Sequence, residues 1–291
     1  MVEDTDGLLK RIKEQEDEIR ELKGEVRRLR EGLARISGSV EAMLERRGFR
    51  VYRKEQDGDV IKPAPGFEDE FYSRLKKYSF RLFLRDAIKY QDGFAPEDLG
   101  RFFTIETARE YAAFLERFGI AVNRDGRYAL KDRPVRSFGP TLEWFVAEIL
   151  RREYAAEALW GIRFRNTQSG GDYDIIANVE GRLLYAEVKS SPPKQIYDTE
   201  IKAFINRCME PSPDFSFFIM DTELRMKDKI VFLFEQALPS TPLGGFSVER
   251  LRAELFHIGG RIFIINSKGG LDANIGECLA WFLKRRVDER H

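Results

Sequence analysis

The stretch from Gly170 to Lys189, Gly-Gly-Asp-Tyr-Asp-Ile-Ile-Ala-Asn-Val-Glu-Gly-Arg-Leu-Leu-Tyr-Ala-Glu-Val-Lys, constrains the fold of this chain more than any other. Tyr173 to Asn178 reads as one strand and Leu183 to Val188 as a second, with Glu180-Gly181 supplying the tight turn that joins them into a hairpin. Alternate residues of a strand share a face, so Tyr185, Glu187 and Lys189 project one way while Leu184, Ala186 and Val188 project the other. Asp174 opens the partner strand just after Gly170-Gly171, and antiparallel pairing brings it toward Glu187. Two carboxylates therefore converge beside one lysine.

The flanking sequence places this hairpin in an α/β core. Gly139 to Leu150 reads as a helix, Ile162 to Arg165 as a strand, Ile196 to Met209 as a helix, Phe215 to Met220 and Arg261 to Ile265 as strands, and Ile275 to Arg286 as a last helix. Phe215, Phe217, Phe218, Phe263 and Trp281 are assigned to the core, because apolar strands and helix-borne aromatics pack inside.

Asp174, Glu187 and Lys189 suit one chemistry in particular. Phosphodiester hydrolysis needs hard oxygen ligands for Mg²⁺, an activated water and positive charge near the phosphorus. Asp174 and Glu187 are the expected metal ligands, with the Val188 carbonyl as a further one. Lys189 is expected to orient or help deprotonate the attacking water, or to stabilise developing charge.

With Gly-Gly-Asp-Tyr-Asp-Ile-Ile followed by Glu-Val-Lys, the chain resembles the PD-(D/E)xK nuclease superfamily, which includes many type II restriction enzymes, archaeal Holliday-junction resolvases and Mrr-like endonucleases. The match covers about half the chain. The resemblance makes Asp174 the first acid in preference to Asp172, because the apolar run Ile175-Ile176-Ala177 follows it directly. It makes Glu187-Val188-Lys189 the E-x-K element. It also adds Glu143, in Gly139-Pro140-Thr141-Leu142-Glu143-Trp144, as the upstream helical glutamate and a further metal ligand, in preference to Glu148. Tyr173 stands where family members often have a proline. Some members carry a glutamine or lysine in the next helix, for which Lys194, Gln195 and Lys202 are candidates, and no QxxxY motif follows. The implied fold is a restriction-endonuclease-like mixed sheet flanked by helices over 137–291, and the implied cofactor is Mg²⁺, with Mn²⁺ as a substitute.

Upstream, residues 1–47 keep a seven-residue rhythm. Thr5, Ile12, Ile19, Val26, Leu33 and Val40 take the a positions and Leu8, Gln15, Leu22, Leu29, Ile36 and Met43 the d positions. A β-branched a layer with leucine leading at d favours a parallel dimeric coiled coil. The flanking pairs Arg11 with Glu16, Glu18 with Lys23, and Glu25 with Arg30 are all opposite in charge. Gly48 to Gly66, with Lys62-Pro63-Ala64-Pro65-Gly66, reads as a linker or small hairpin over 48–66.

Residues 67–136 read as a small winged-helix-like α+β domain: a helix from Phe71 to Tyr90, a short one from Ala95 to Phe103, a third from Ile105 to Phe118 capped by Thr104, and a hairpin turning at Asp125-Gly126. The segment is locally basic. Arg109 on the third helix and Arg124 and Arg127 on the wing are candidate DNA contacts, although Glu106, Glu110 and Glu116 on the same helix oppose phosphate binding, and many winged helices serve only as packing or dimerisation modules.

Composition narrows the alternatives. Lys plus Arg and Asp plus Glu are 49 each, so nucleic-acid binding must come from local patches. Cys208 and Cys278 belong to no paired motif and His257 and His291 have no nearby partners, which argues against zinc and histidine catalysis. The absence of a signal peptide and of a long apolar run predicts a cytoplasmic protein without membrane spans. The expected function is a Mg²⁺-dependent DNA endonuclease acting on duplex or branched DNA as a homodimer. The alternatives are a catalytically inactive DNA-binding scaffold, or an exonuclease or RNA nuclease using the same site.

Overall fold

The computed structural model describes residues 15–26, 28–29, 38–54, 59–99, 102–165, 167, 170 and 172–288. Residues 15–26 and 28–29 are helical (α1). The coil positions Thr5, Leu8, Ile12, Leu33 and Ile36, and the charge pairs using Arg11 and Arg30, lie outside the described residues. Within α1, Ile19, Leu22, Val26 and Leu29 stand 46–62% exposed, an apolar stripe that none of the described residues covers.

Downstream of α1 the heptad assignment fails. Gly38 takes φ +80° and Ser39 caps a separate short helix, α2 (Val40–Arg46), by accepting the Ala42 N–H at 3.1 Å. Val40 and Met43, placed by spacing on the coil seam, are instead buried with Leu44 against the strands of the main sheet. Seven-residue spacing cannot distinguish a coil seam from a helix that packs on its own chain. The stretch expected as a linker corrects in the same direction. Val51–Arg53 forms β1, one edge strand of the sheet, and Val60 and Ile61 are buried, with Ile61 N–H donating to Thr141 Oγ1 at 3.0 Å.

Next come α3 (Glu68–Leu75), α4 (Tyr78–Lys89), a 3-10 turn (Pro96–Leu99), α5 (Ile105–Arg117) and the hairpin β2 (Ala121–Arg124) and β3 (Arg127–Leu130). Thr104 caps α5 by accepting the Thr107 N–H, and Asp125 and Gly126 take φ values of 53° and 83°, as a two-residue primed turn requires. The single helix expected from Phe71 to Tyr90 is two. The Arg81 guanidinium turns back and donates to the carbonyls of Leu75 and Lys76 at 2.6 and 3.1 Å, satisfying the open end of α3. The segment expected as a separate domain over 67–136 has no core of its own. Phe71, Phe80, Leu115 and Leu130 belong to the same buried cluster as Trp144, Ile175 and Phe217 of the sheet region.

The remaining elements are α6 (Gly139–Glu153), β4 (Glu157–Phe164), β5 (Tyr173–Val179), β6 (Arg182–Lys189), a 3-10 turn (Pro193–Gln195), α7 (Asp198–Met209), β7 (Phe215–Met220), a π-helical turn (Lys227–Val231) leading into α8 (Phe232–Ala237), a 3-10 turn (Leu238–Ser240), β8 (Val248–Arg252), β9 (Leu255–Ile258), β10 (Ile262–Asn266) and α9 (Leu271–Asp288). They build an eight-stranded mixed sheet in the order β1-β4-β5-β6-β7-β10-β9-β8, parallel only across β6-β7-β10. Alternate residues of β6 divide between two cores: Leu184, Ala186 and Val188 face the side covered by α6 and α9, while Leu183 and Tyr185 face α2, α7 and α8. Phe215, Phe217, Phe218 and Phe263 are buried and Trp281 packs against them in part, as expected from their apolar surroundings. The chain is thus α/β with a large mixed sheet flanked by helices. Among the described residues no helix is long and apolar enough to cross a membrane, and both cysteines are free and buried.

Candidate active site

The turn Glu180-Gly181, with φ values of 50° and 78°, sets the register of β5 against β6. Ile175 pairs with Ala186, so the next rung outward sets Asp174 opposite Glu187. Asp174 Oδ2 accepts the N–H of Val188 at 2.7 Å, which ties the first acid to the middle residue of the E-x-K element. Lys189 Nζ lies 2.7 Å from Glu187 Oε1. β6 and β7 run parallel with Lys189 beside Met220, and the Asp221 N–H that follows donates to Lys189 O at 2.9 Å. Parallel strands commonly present their ligand sites at this carboxyl end.

Glu143 enters from α6, on the opposite face of the sheet. Burial pushes its carboxyl up to about 7, with the charges of Glu187 and Asp172 adding and Lys189 opposing. Asp174 is raised well above the ordinary carboxylate range by burial first, then by Glu187 and Glu143, against the pull of Lys189 and the Val188 N–H. Glu187 moves the other way: burial works against its charge, but Lys189 and Arg207 outweigh it and hold it below the usual value. Three carboxylates thus sense each other around one ammonium, a crowding that a cation relieves.

The rivals are engaged elsewhere. Asp172 pairs with Arg163, with Arg163 Nη2 2.7 Å from Oδ2. Glu148 is bound by Arg151 at 3.0 Å and Arg152 at 2.6 Å. Lys202 pairs with Asp198 on the surface of α7. Lys194 and Gln195 are exposed on the 3-10 turn after β6. The arginines expected to meet DNA are largely committed to acids. Arg109 donates to Glu97 at 2.7 Å, and Arg127 donates to the Gly93 carbonyl at 3.0 Å and lies 3.8 Å from Asp98, while Arg124 is exposed on β2.

Three further participants carried no motif signal: Arg207, Tyr185 and Glu200. Arg207, from α7, donates to Glu187 Oε2 at 2.7 Å, and the Tyr185 hydroxyl donates to the same oxygen. Glu200 caps the start of α7 by accepting the Tyr197 N–H and lies 3.8 Å from Lys189. A lone arginine twenty residues after Glu187 carries no periodic or motif signal. The parity of β6, which sets Tyr185 on the Glu187 face, was the one available hint.

Among the described residues no three His, Cys, Asp or Glu side chains are arranged to enclose a metal ion. Mg²⁺ needs fewer, since it is commonly held by one or two carboxylates with water completing the octahedron. Two carboxylates, Asp174 and Glu187, stand on facing rungs here, and among the described residues the hydrogen bonds leave Asp174 Oδ1 open.

No family model matches the chain, and no curated protein matches it. Solved structures with distant similarity include the following two. Protein VC1899 from Vibrio cholerae is 14% identical with a TM-score of 0.40, over 65% of this chain and 53% of that one. Can2 from Sulfobacillus thermosulfidooxidans, solved in complex with cyclic tetra-adenylate, is 14% identical with a TM-score of 0.46, over 84% of this chain and 60% of that one. The chain therefore spans little more than half the length of either.

Proposed function

We propose that this chain is a Mg²⁺-dependent nuclease of the PD-(D/E)xK type that hydrolyses DNA phosphodiester bonds. The observation that carries the reading is the meeting of Asp174, Glu187 and Lys189 at one end of the sheet, with Glu143 close enough to raise the carboxyl of Asp174. Asp174 and Glu187 would hold the metal, with the Val188 carbonyl as a further donor; Glu143, expected from the resemblance as another ligand, does not join them in enclosing an ion among the described residues. A bound Mg²⁺ supplies Lewis acidity toward the phosphate and lowers the pKa of water. Lys189 keeps its proton, since its carboxylate neighbours outweigh the effect of burial, and so serves to orient water or to meet negative charge on the phosphorus oxygens. Glu143, titrating near neutral pH, is suited to accept a proton from water and release it.

The test is incubation of purified protein with supercoiled, linear, single-stranded and four-way-junction DNA, and with RNA, in Mg²⁺, Mn²⁺ or EDTA. Metal-dependent cleavage is the expected result, abolished by Asp174→Asn. Binding without cleavage of any substrate would favour the scaffold reading, which has its own support in the complete ion pairing of Glu187.

The exposed stripe on α1 supports action as a parallel coiled-coil homodimer. Because Val40 and Met43 belong to the body, the informative truncation ends before Gly38. Removing residues 1–37 is expected to halve the mass measured by light scattering while the thermal transition of the body persists. An unchanged mass would remove the coil from the assembly.

A further inference from the structure

Glu187 is 2% exposed, and its two oxygens are held by different partners. Oε1 receives Lys189 Nζ at 2.7 Å, from the motif itself. Oε2 receives the Tyr185 hydroxyl and, at 2.7 Å, Arg207 Nη1 from the last turns of α7. With two donors, one of them charged, Oε2 is saturated and the carboxylate cannot rotate about its terminal torsion. Asp174 is restrained in the same way, through Oδ2 and the Val188 N–H. Asp174 is thus pinned through Oδ2 alone, which among the described residues leaves Oδ1 open, whereas Glu187 Oε1, with Lys189 Nζ as its single donor, can meet a common ligand only beside that ammonium or in exchange for it.

Among the described residues Arg207 Nε is buried with no hydrogen-bond partner, although an unsatisfied buried donor is costly. Its bonds are confined to Nη1, which also lies 3.5 Å from the Tyr185 hydroxyl. Such an arrangement trades hydrogen-bond satisfaction for the orientation of one carboxylate.

Resting on the nuclease reading above, we propose that Arg207 is a positioning residue for metal binding: with Tyr185 it clamps Glu187 Oε2, so that Oε1 is presented together with Asp174 Oδ1 to a divalent cation. The opposite expectation is that a second positive charge beside Glu187 merely competes with the metal. The two differ in sign. If Arg207 positions, removing it weakens metal binding, whereas if it competes, removing it tightens binding.

The experiment measures Mn²⁺ affinity calorimetrically, without substrate, in the full-length wild type, Arg207→Met, Arg207→Lys and Glu187→Gln, with thermal unfolding followed in parallel. Loss of an outer-shell partner typically weakens metal affinity by about 10–100-fold. That weakening is expected for Arg207→Met, with most of the affinity restored in Arg207→Lys. Unchanged or tighter Mn²⁺ binding by folded Arg207→Met would overturn the proposal. If Arg207→Met does not fold, Tyr185→Phe removes the other donor to Oε2 and retains the ring, so weakened binding supports the clamp and unchanged binding overturns it. A wild type that binds no Mn²⁺ defeats the nuclease reading itself. Wild-type binding that Glu187→Gln abolishes and Arg207→Met leaves intact defeats only the role of Arg207.

Discussion

Replacing Asp221 with alanine is expected to cost about 3–5 kcal/mol of stability, the range for removing one partner of a buried ion pair. Asp221 is 1% exposed at the end of β7, and Arg81, one turn from Arg85 on α4, is fully buried. Asp221 Oδ1 accepts Arg81 Nε at 3.0 Å, Arg81 Nη2 at 2.8 Å and the Ser267 hydroxyl at 2.6 Å, and Oδ2 accepts Arg85 Nη2. Truncation strands a fully buried guanidinium, and that penalty exceeds the net worth of the pair. Urea denaturation at neutral pH measures the loss as a fall in midpoint at constant slope. A midpoint unchanged within error would show that water replaces the carboxylate.

The same group carries a pH dependence of determinable sign. Burial acts to raise the Asp221 carboxyl, but Arg81 and Arg85 outweigh it and hold it below the ordinary value. A carboxylate whose folded pKa is depressed contributes stability that is fully present above its unfolded value of about 3.9 and is lost as pH falls through the folded value. Wild-type stability should therefore fall with acidification below about pH 4, and Asp221→Asn should lack that portion of the fall.

On the proposed nuclease reading, the largest effect on activity is expected at the E-x-K element. Glu187→Gln keeps the shape of the side chain but removes the charge that faces Lys189 and would neutralise a cation. Lys189→Met keeps the length and removes the ammonium. Removing a positioned acid–base or charge-stabilising group typically lowers kcat by about 10²–10⁴-fold. Each variant is expected to lose cleavage on that order while retaining the far-ultraviolet circular dichroism of the wild type. Cleavage at wild-type rates in both variants would place the chemistry elsewhere in the chain. The two should separate in metal binding: Glu187→Gln abolishes it, whereas Lys189→Met leaves it intact or tightens it, because a competing charge on Oε1 is gone.

The coil assignment shows where periodicity stops informing. Ile19, Leu22, Val26 and Leu29 share a stripe that the body leaves exposed, while Val40 and Met43, in the same register, are buried under the sheet. Nothing in the spacing separates the two groups, because Gly38 and Ser39 redirect the chain and what Val40 then meets depends on strands more than a hundred residues away. The helix expected from Phe71 to Tyr90 divides for a related reason. Arg81 reads as a solvated basic residue until Asp221 and Ser267, 140 and 186 positions downstream, give it a buried partner. Once buried, its remaining donors close the end of α3.

The sequence by itself determined whatever rests on nearest-neighbour geometry. The turns at Glu180-Gly181 and Asp125-Gly126 follow from backbone conformations that few residues tolerate, the Thr104 cap from the open N–H groups of a helix start, and the shared face of Glu187 and Lys189 from strand parity. Only the tertiary structure decided which charges are buried and against what. The pairing of Arg207 with Glu187, the burial of Arg81 on Asp221 and the approach of Glu143 from the far side of the sheet all join segments remote in sequence. Burying a charge costs several kcal/mol unless a partner meets it, so its place is set by where the packed core allows that partner to stand.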